Sequence, residues 1–266
     1  MSPAPGRPAL TVVVVYPDLL GTYGDGGNGL VLTRRAAWRG IDAALVNAPS
    51  DRPLPRGDVY CLGGGEDGPQ VRASTSLIAE GTLARAVDDG AVLLAVCAGF
   101  QLVGRSFPDA SDRSHPGLGL LDVTTRKGTG PRAVGEVVAA FDHRAPGGPG
   151  GVPLPRLTGF ENHGGVTTLG PEAVPLASVV TGVGNGGGDG TEGAWSGRVV
   201  GTYLHGPVLA RNVALADLLL TWALGGDVTL PLEPLDDTEE DALRTERLSA
   251  DPGHGAAPTS GRHRRR

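Results

Sequence analysis

The chain has 266 residues, a formal net charge of −6, and 44 Gly and 22 Pro against only 4% aromatic residues. Its acidic balance argues against a general nucleic-acid binder, and no run of about 18 apolar residues is present to span a membrane. Cys61 and Cys97 are the only cysteines. They form neither a disulfide framework nor a zinc-site spacing, and Met1–Pro8 has no signal core, so an intracellular, reduced protein is expected.

Leu10–Tyr16 is a β-branched run that stops at Pro17, a first buried strand. Pro17–Gly29 is a loop dense in Gly, Asp and Asn, and Leu30–Arg39 has helical spacing with Gly40 as its stop. Strands follow at Ile41–Val46 and Asp58–Leu62, the second ending in Gly63-Gly64-Gly65. Gln70–Asp89 is a helix with Gly81 inside it, closed by Gly90, and Ala91–Val96 is the next strand. Strands alternating with helices predict a parallel α/β sheet, whose ligand sits beyond the strands' carboxyl ends. From Leu120 the pattern changes. Leu120–Thr125, Gly135–Phe141, Ala177–Thr181 and Arg198–Tyr203 read as strands without intervening helices, an antiparallel addition to the first sheet. Pro146–Pro155 and Gly182–Gly190 are loops, and Val208–Leu224 is a closing amphipathic helix. The domain is expected over 10–230. Residues 1–9 and the tail 231–266, with its acidic block and basic end, are expected to be disordered.

Six apolar residues, Ala91–Val96, run straight into Cys97 and then Ala98-Gly99-Phe100-Gln101-Leu102-Val103. A strand, a cysteine and a helix in immediate succession place Cys97 on a tight turn, the thiol counterpart of a serine elbow. The helix N-terminus favours the thiolate, and the amides of Ala98 and Gly99 point toward the same space. A buried structural cysteine is the competing reading, and the local run alone does not decide between them.

A thiol that attacks an amide needs a base to take its proton and return it to the leaving group. Of six histidines, His254 and His263 fall in the tail, and His115 and His143 in loops. His163, in Phe160-Glu161-Asn162-His163-Gly164-Gly165, is a rival to His205, which ends the strand before Gly206-Pro207. A strand-end histidine bonded to a backbone carbonyl is the bland alternative for His205.

Cys97 at an elbow, the Gly63–Gly65 loop and the late His205 together resemble the class I glutamine amidotransferases. His205-Gly206-Pro207 departs from the usual pattern, in which a Glu lies two residues after the His. With Gly159-Phe160-Glu161-Asn162-His163-Gly164-Gly165, that departure resembles the cobyric acid synthase-like branch. A narrower match covers Tyr16-Pro17-Asp18-Leu19-Leu20, Tyr23-Gly24-Asp25-Gly26-Gly27-Asn28, Arg35, Arg39-Gly40-Ile41, Tyr203–Pro207 and Arg211-Asn212. These resemble the glutaminase subunits of the lipid II isoglutaminyl synthases. Ala98 stands where the family usually has Gly.

The resemblance implies a flavodoxin-like parallel sheet of class I glutaminase type, with helices on both faces and an antiparallel extension. It implies Cys97 as nucleophile and His205 as acid/base, Arg132 as the group that binds glutamine, and the amides of Gly64 and Ala98 as the oxyanion hole. The group that orients His205 stays open between Glu161 and no carboxylate at all. Cys61 reads as a small core residue. Gly24–Gly29 looks like a phosphate loop but lacks the Gly-Lys-Ser/Thr ending, so no ATP is assigned to it. ATP and Mg are expected on a Mur-ligase-like MurT partner that amidates the D-glutamate α-carboxyl of lipid II. That places the pair in the cytoplasm, or peripherally at the inner membrane face. Amidation of a corrin precursor, a noncatalytic binding subunit and a stand-alone cysteine hydrolase are the other readings. Against the corrin reading stands the lack of an N-terminal ATP-binding synthetase domain.

Overall fold

The computed structural model describes residues 10–141, 154–225 and 232–249. The expected loop at 146–155 falls almost wholly outside them, as do the expected disordered residues 1–9. The strands and helices of the first half are β1 (Leu10–Val15), α1 (Gly27–Trp38), β2 (Ala43–Ala48), β3 (Val59–Leu62), α2 (Asp67–Glu80), α3 (Thr82–Asp88), β4 (Val92–Val96) and α4 (Ala98–Val103). Short strands follow at β5 (Ser106–Pro108), β6 (Ser114–Pro116), β7 (Val123–Lys127), β8 (Ala133–Phe141), β9 (Leu157–His163), β10 (Gly165–Leu169), β11 (Ala177–Thr181), β12 (Thr191–Glu192), β13 (Ala194–Ser196) and β14 (Val199–Thr202). Helices α5 (Val208–Arg211), α6 (Val213–Ala223) and α7 (Thr238–Ser249) complete the order.

The main sheet runs β13-β14-β4-β3-β1-β2. Its pairs are parallel except β13 with β14. β1, β3 and β4 are buried along their whole length, which explains why they read as unbroken apolar runs rather than alternating ones. This is a flavodoxin-like order, and the chain reverses direction across the sheet at β1 and β3. Ligands gather beyond the carboxyl ends at such a point.

Of the four strands expected as an antiparallel addition, Arg198–Tyr203 joins this sheet as β14 but parallel to β4, and β13 supplies the antiparallel edge; the other three do not extend it. The remaining strands form two separate four-stranded sheets, β10-β7-β5-β6 and β12-β11-β8-β9. β9 and β10, which straddle Gly164, were not among the expected strands. Gly159 and Gly165 lie inside them and weaken the strand signal.

Two expected helices are each broken in two. Gly81, at φ 66°, takes the left-handed conformation that ends α2, and its N–H bonds Leu77 O at 2.9 Å. Asn212 divides α5 from α6. Its amide donates to Thr158 O and Val208 O, and its Oδ1 accepts from Thr158 N, tying the break to β9.

The tail expected to be disordered from Pro231 contains α7, which corrects that reading. No residue of α7 is buried, so apolar content could not reveal it. It carries Glu239, Glu240 and Asp241 in its first turn, which suits the helix dipole. The segment before it is anchored by charge: buried Arg35 holds Asp237 (2.5 and 2.9 Å) and Asp217 (2.7 and 2.8 Å), and Arg39 donates to Glu233 O.

Candidate active site

Cys97 lies between β4 and α4 at φ 54°, ψ −107°, a conformation that an L-residue adopts only under strain. Its N–H donates to Thr202 O at 2.8 Å and its carbonyl accepts Gln101 N at 3.0 Å, so β14 and α4 both hold the turn. Gly99 allows that closeness. A Cβ there would lie 2.9 Å from Leu62 Cβ and 3.0 Å from Leu62 O. The elbow inferred from sequence is therefore present, with the thiol at a strand's carboxyl end. Cys61 contrasts with it: burial pushes its thiol up to about 12, so it stays protonated near neutral pH.

His205 follows β14 and is 4% exposed. Its Nδ1 lies 3.1 Å from both carboxylate oxygens of Asp25, itself 2% exposed. A carboxylate only accepts, so Nδ1 carries the hydrogen and Nε2 is left for the thiol. Nε2 is buried. Burial alone would lower the His205 pKa. The hydrogen bonds and charges of Asp25 and Cys97 outweigh it and raise the imidazole to about 9. Cys97, His205 and Asp25 thus have the chemistry and order that a nucleophile, an acid/base and an orienting carboxylate require.

Asp25 is the functional residue that sequence reasoning missed. It sits in the Gly24–Gly29 stretch, set aside there as a phosphate-loop lookalike, on the loop after β1 and 180 positions from its partner. Glu161, the carboxylate considered for this role, does not fill it. Its oxygens accept Val183 N at 2.8 Å and Gly184 N at 2.9 Å, and its histidine neighbour is His163 at 3.6 Å. His163 stacks on Tyr203 (centroids 3.7 Å, 13°) and turns Nδ1 to Gly165 O. It lines the cavity that opens on Cys97, and it is His205, not His163, whose Nδ1 meets the buried Asp25 carboxylate. His115 lies in β6 rather than a loop and pairs with Asp109 at 2.8 Å.

The oxyanion hole differs from expectation. The Gly64 N–H donates to Asp25 Oδ2 at 2.8 Å, and the Gly99 N–H donates to Gly63 O at 3.1 Å. Both are spent inside the protein, because the buried Asp25 carboxylate and the Gly63 carbonyl each need a donor. Ala98 N–H is the first of α4 and lies outside the helix's own bonding ladder.

A cavity of about 270 Å³ opens on Cys97 and is lined by Gln70, Gln101, Arg132 and His163, among others. Gln70 Nε2 donates to Ala98 O and Gln101 Oε1, and Gln101 Nε2 to Tyr203 OH, so the floor is a fixed amide network. Arg132 is exposed at the rim. Asn162 holds it twice, through Oδ1 to Nε at 2.6 Å and its carbonyl to Nη2 at 2.9 Å. A larger cavity of about 450 Å³ borders the same loops but does not reach Cys97.

Glu192 stabilises the strand that carries His205. Burial pushes its carboxyl up to about 7 against the bonds it accepts from Tyr203 N (2.8 Å) and Thr202 Oγ1 (2.9 Å). Among the described residues no helix is long and apolar enough to cross a membrane.

Residues 11–213 match the CobB/CobQ-like glutamine amidotransferase domain. Over 232 residues the chain is 34% identical to the lipid II isoglutaminyl synthase (glutamine-hydrolyzing) subunit GatD of Streptococcus pneumoniae, covering 84% of this chain and 85% of that one. The Staphylococcus aureus subunit of the same name is 32% identical over 91% of this chain and 95% of its own. A solved glutamine amidotransferase superposes with a TM-score of 0.55 at 20% identity, over 79% of this chain and 98% of that one, which shows a shared fold. A parallel sheet that delivers a cysteine, a histidine and an aspartate to one end, in a chain alike along most of its length to these subunits, makes this protein a class I glutamine amidotransferase of the CobB/CobQ-like family, on the GatD branch.

Proposed function

We propose that the chain hydrolyses L-glutamine through a γ-glutamyl thioester on Cys97 and delivers the ammonia to a MurT-type, Mur-ligase-like partner. The partner activates the D-glutamate α-carboxyl of lipid II with ATP and Mg, and the product is D-isoglutamine in the peptidoglycan precursor. The pair works at the inner face of the membrane, where the lipid-linked substrate lies. The carrying observation is the Cys97–His205–Asp25 arrangement in a chain that matches GatD subunits almost end to end. That coverage favours lipid II over a corrin precursor as the acceptor.

The sulfur attacks the side-chain amide carbon, and the oxygen that gains charge meets the Ala98 N–H. As the C–N bond breaks, His205 gives its Nε2 proton to the nitrogen, and ammonia leaves. His205 then takes a proton from water, the hydroxide attacks the thioester, and the proton returns as glutamate departs. Asp25 keeps the Nδ1 hydrogen in place throughout, so Nε2 always faces the reaction.

Arg132 grips the glutamine α-carboxylate in this reading. Asn162 takes Nε and Nη2 of the guanidinium, and Arg132 lines the cavity that opens on Cys97. Because the group is exposed, the loss in Arg132→Ala is modest, about 1–2 kcal/mol or roughly 5–30-fold, and falls on the KM for glutamine. Arg132→Lys recovers only part of it, since a point charge cannot reproduce the fork. With saturating ammonium the Arg132→Ala complex amidates at the wild-type rate. An equal loss with both nitrogen sources would move Arg132 to the partner interface. The proposed function as a whole is tested by co-expressing the chain with its Mur-ligase-like partner and supplying lipid II, ATP and glutamine. Amidated lipid II is the expected product. Glutamate released without any amidated product would leave a glutaminase and reject the acceptor.

A further inference from the structure

We propose that Tyr23 is a positioning residue for the His205–Asp25 pair. Its ring is the cover that keeps water off the imidazole and sets its tilt. This rests on the assignment of His205 as acid/base.

Three side chains converge on the backbone of Gly64. A Cβ built on Gly64 would lie 2.9 Å from His205 Cε1, 3.0 Å from Tyr23 Cδ2 and 3.3 Å from Asp25 Oδ2. The Tyr23 ring stands 4.7 Å from the imidazole, centroid to centroid, tilted by 47°. His205 and Asp25 are buried, while Tyr23 is half-buried, so the tyrosine forms the layer between the pair and solvent. Its hydroxyl makes no hydrogen bond among the described residues, so the ring, not the oxygen, is the part in use. Position 64 is glycine because any side chain there would displace the ring or the imidazole.

The physical effect is local. An ion pair shielded from water is stronger than a wet one, and fixed neighbours need no reorganisation as charge moves. Tyr23 also lies two residues before Asp25, so one loop supplies both the carboxylate and its cover. The short β1–α1 connection therefore completes the acid/base unit that β14 begins.

The test is the Nδ1 proton of His205. Hydrogen-bonded to a carboxylate and shielded from exchange, it gives a far-downfield proton resonance in the free full-length chain, identified by its loss in Asp25→Asn. The resonance is expected in the wild type and in Tyr23→Phe, and broadened away by water exchange in Tyr23→Ala. In the same variant kcat for glutamine should fall about tenfold or more, with KM changed less than twofold, and Tyr23→Phe should restore most of the rate. A sharp resonance and wild-type kcat in Tyr23→Ala would overturn the proposal. So would an equal loss in Tyr23→Phe, which would put the role on the hydroxyl. Should Tyr23→Ala unfold, Tyr23→Leu keeps apolar bulk without the ring: faster exchange supports the cover, and unchanged exchange rejects it. The resonance is read without substrate, so an error in the glutaminase reading shows separately, as absence of turnover in the wild type.

Discussion

Cys97→Ala abolishes glutamine hydrolysis, by at least about 10⁴-fold, while leaving the fold and partner binding intact. The thiol is the attacking group and no other described side chain can replace it: Cys61 lies in β3, buried and protonated. The substitution removes one sulfur from a site already 6% exposed, and the backbone bonds to Thr202 and Gln101 do not involve it. Ammonium salts restore amidation by the mutant complex, because the partner consumes only ammonia. Steady-state glutamate release measures the first effect and lipid II amidation with ammonium measures the second. Wild-type glutamate release by Cys97→Ala would remove the mechanism. Failure of ammonium rescue with the complex intact would separate this chain from the amidation step.

Asp25→Asn is expected to have the next largest effect, about 10²–10⁴-fold in kcat. The carboxylate does two things at once. It accepts the His205 Nδ1 hydrogen and the Gly64 N–H, and an amide can satisfy one of these only by turning its own donor toward the other. The sign of the pH effect follows from His205. Its imidazolium, with a pKa near 9 in the folded protein, supplies the proton for the leaving nitrogen. Wild-type kcat/KM therefore falls as pH rises through about 9. Without the Asp25 charge the imidazole titrates lower, and in Asp25→Asn that alkaline limb moves to lower pH. Stability follows the same linkage. A histidine whose folded pKa lies above its unfolded value of about 6.5 adds stability that is complete below that pH. The contribution fades as pH rises through about 9, and Asp25→Asn shrinks it. An unchanged alkaline limb in Asp25→Asn would show that another group sets the His205 pKa.

The parallel half of the fold was legible because β1, β3 and β4 are buried along their whole length and so read as continuous apolar runs. Cys97 was legible for the same reason: a buried run that ends in a cysteine and restarts as a helix leaves it nowhere but the turn. His205 needed more than its strand-end position, and the resemblance supplied it. Asp25 was hidden by distance. It belongs to a loop whose glycines suggested a phosphate cradle, and nothing local says that a carboxylate 180 positions away meets the imidazole. The Gly64 amide was misassigned because a sequence shows that a turn exceeds the needs of its neighbours only if those neighbours are known. Helix α7 escaped because Arg35, Asp217 and Asp237 hold the segment before it by ion pairs, which hydropathy does not register. Within the two small sheets β7, β8 and β11 were legible as strands, but their pairing was not, and β5, β6 and β12 are only two or three residues long.

Glutamine hydrolysis by this mechanism passes through a covalent bond to Cys97. Acid quenching of the complex during turnover with glutamine, followed by peptide mass spectrometry, tests it most directly. A γ-glutamyl adduct is expected on the Cys97 peptide, building up when deacylation is slowed and absent in Cys97→Ser. Full turnover with no adduct on Cys97 under slowed deacylation, or an adduct on Cys61 instead, would contradict it.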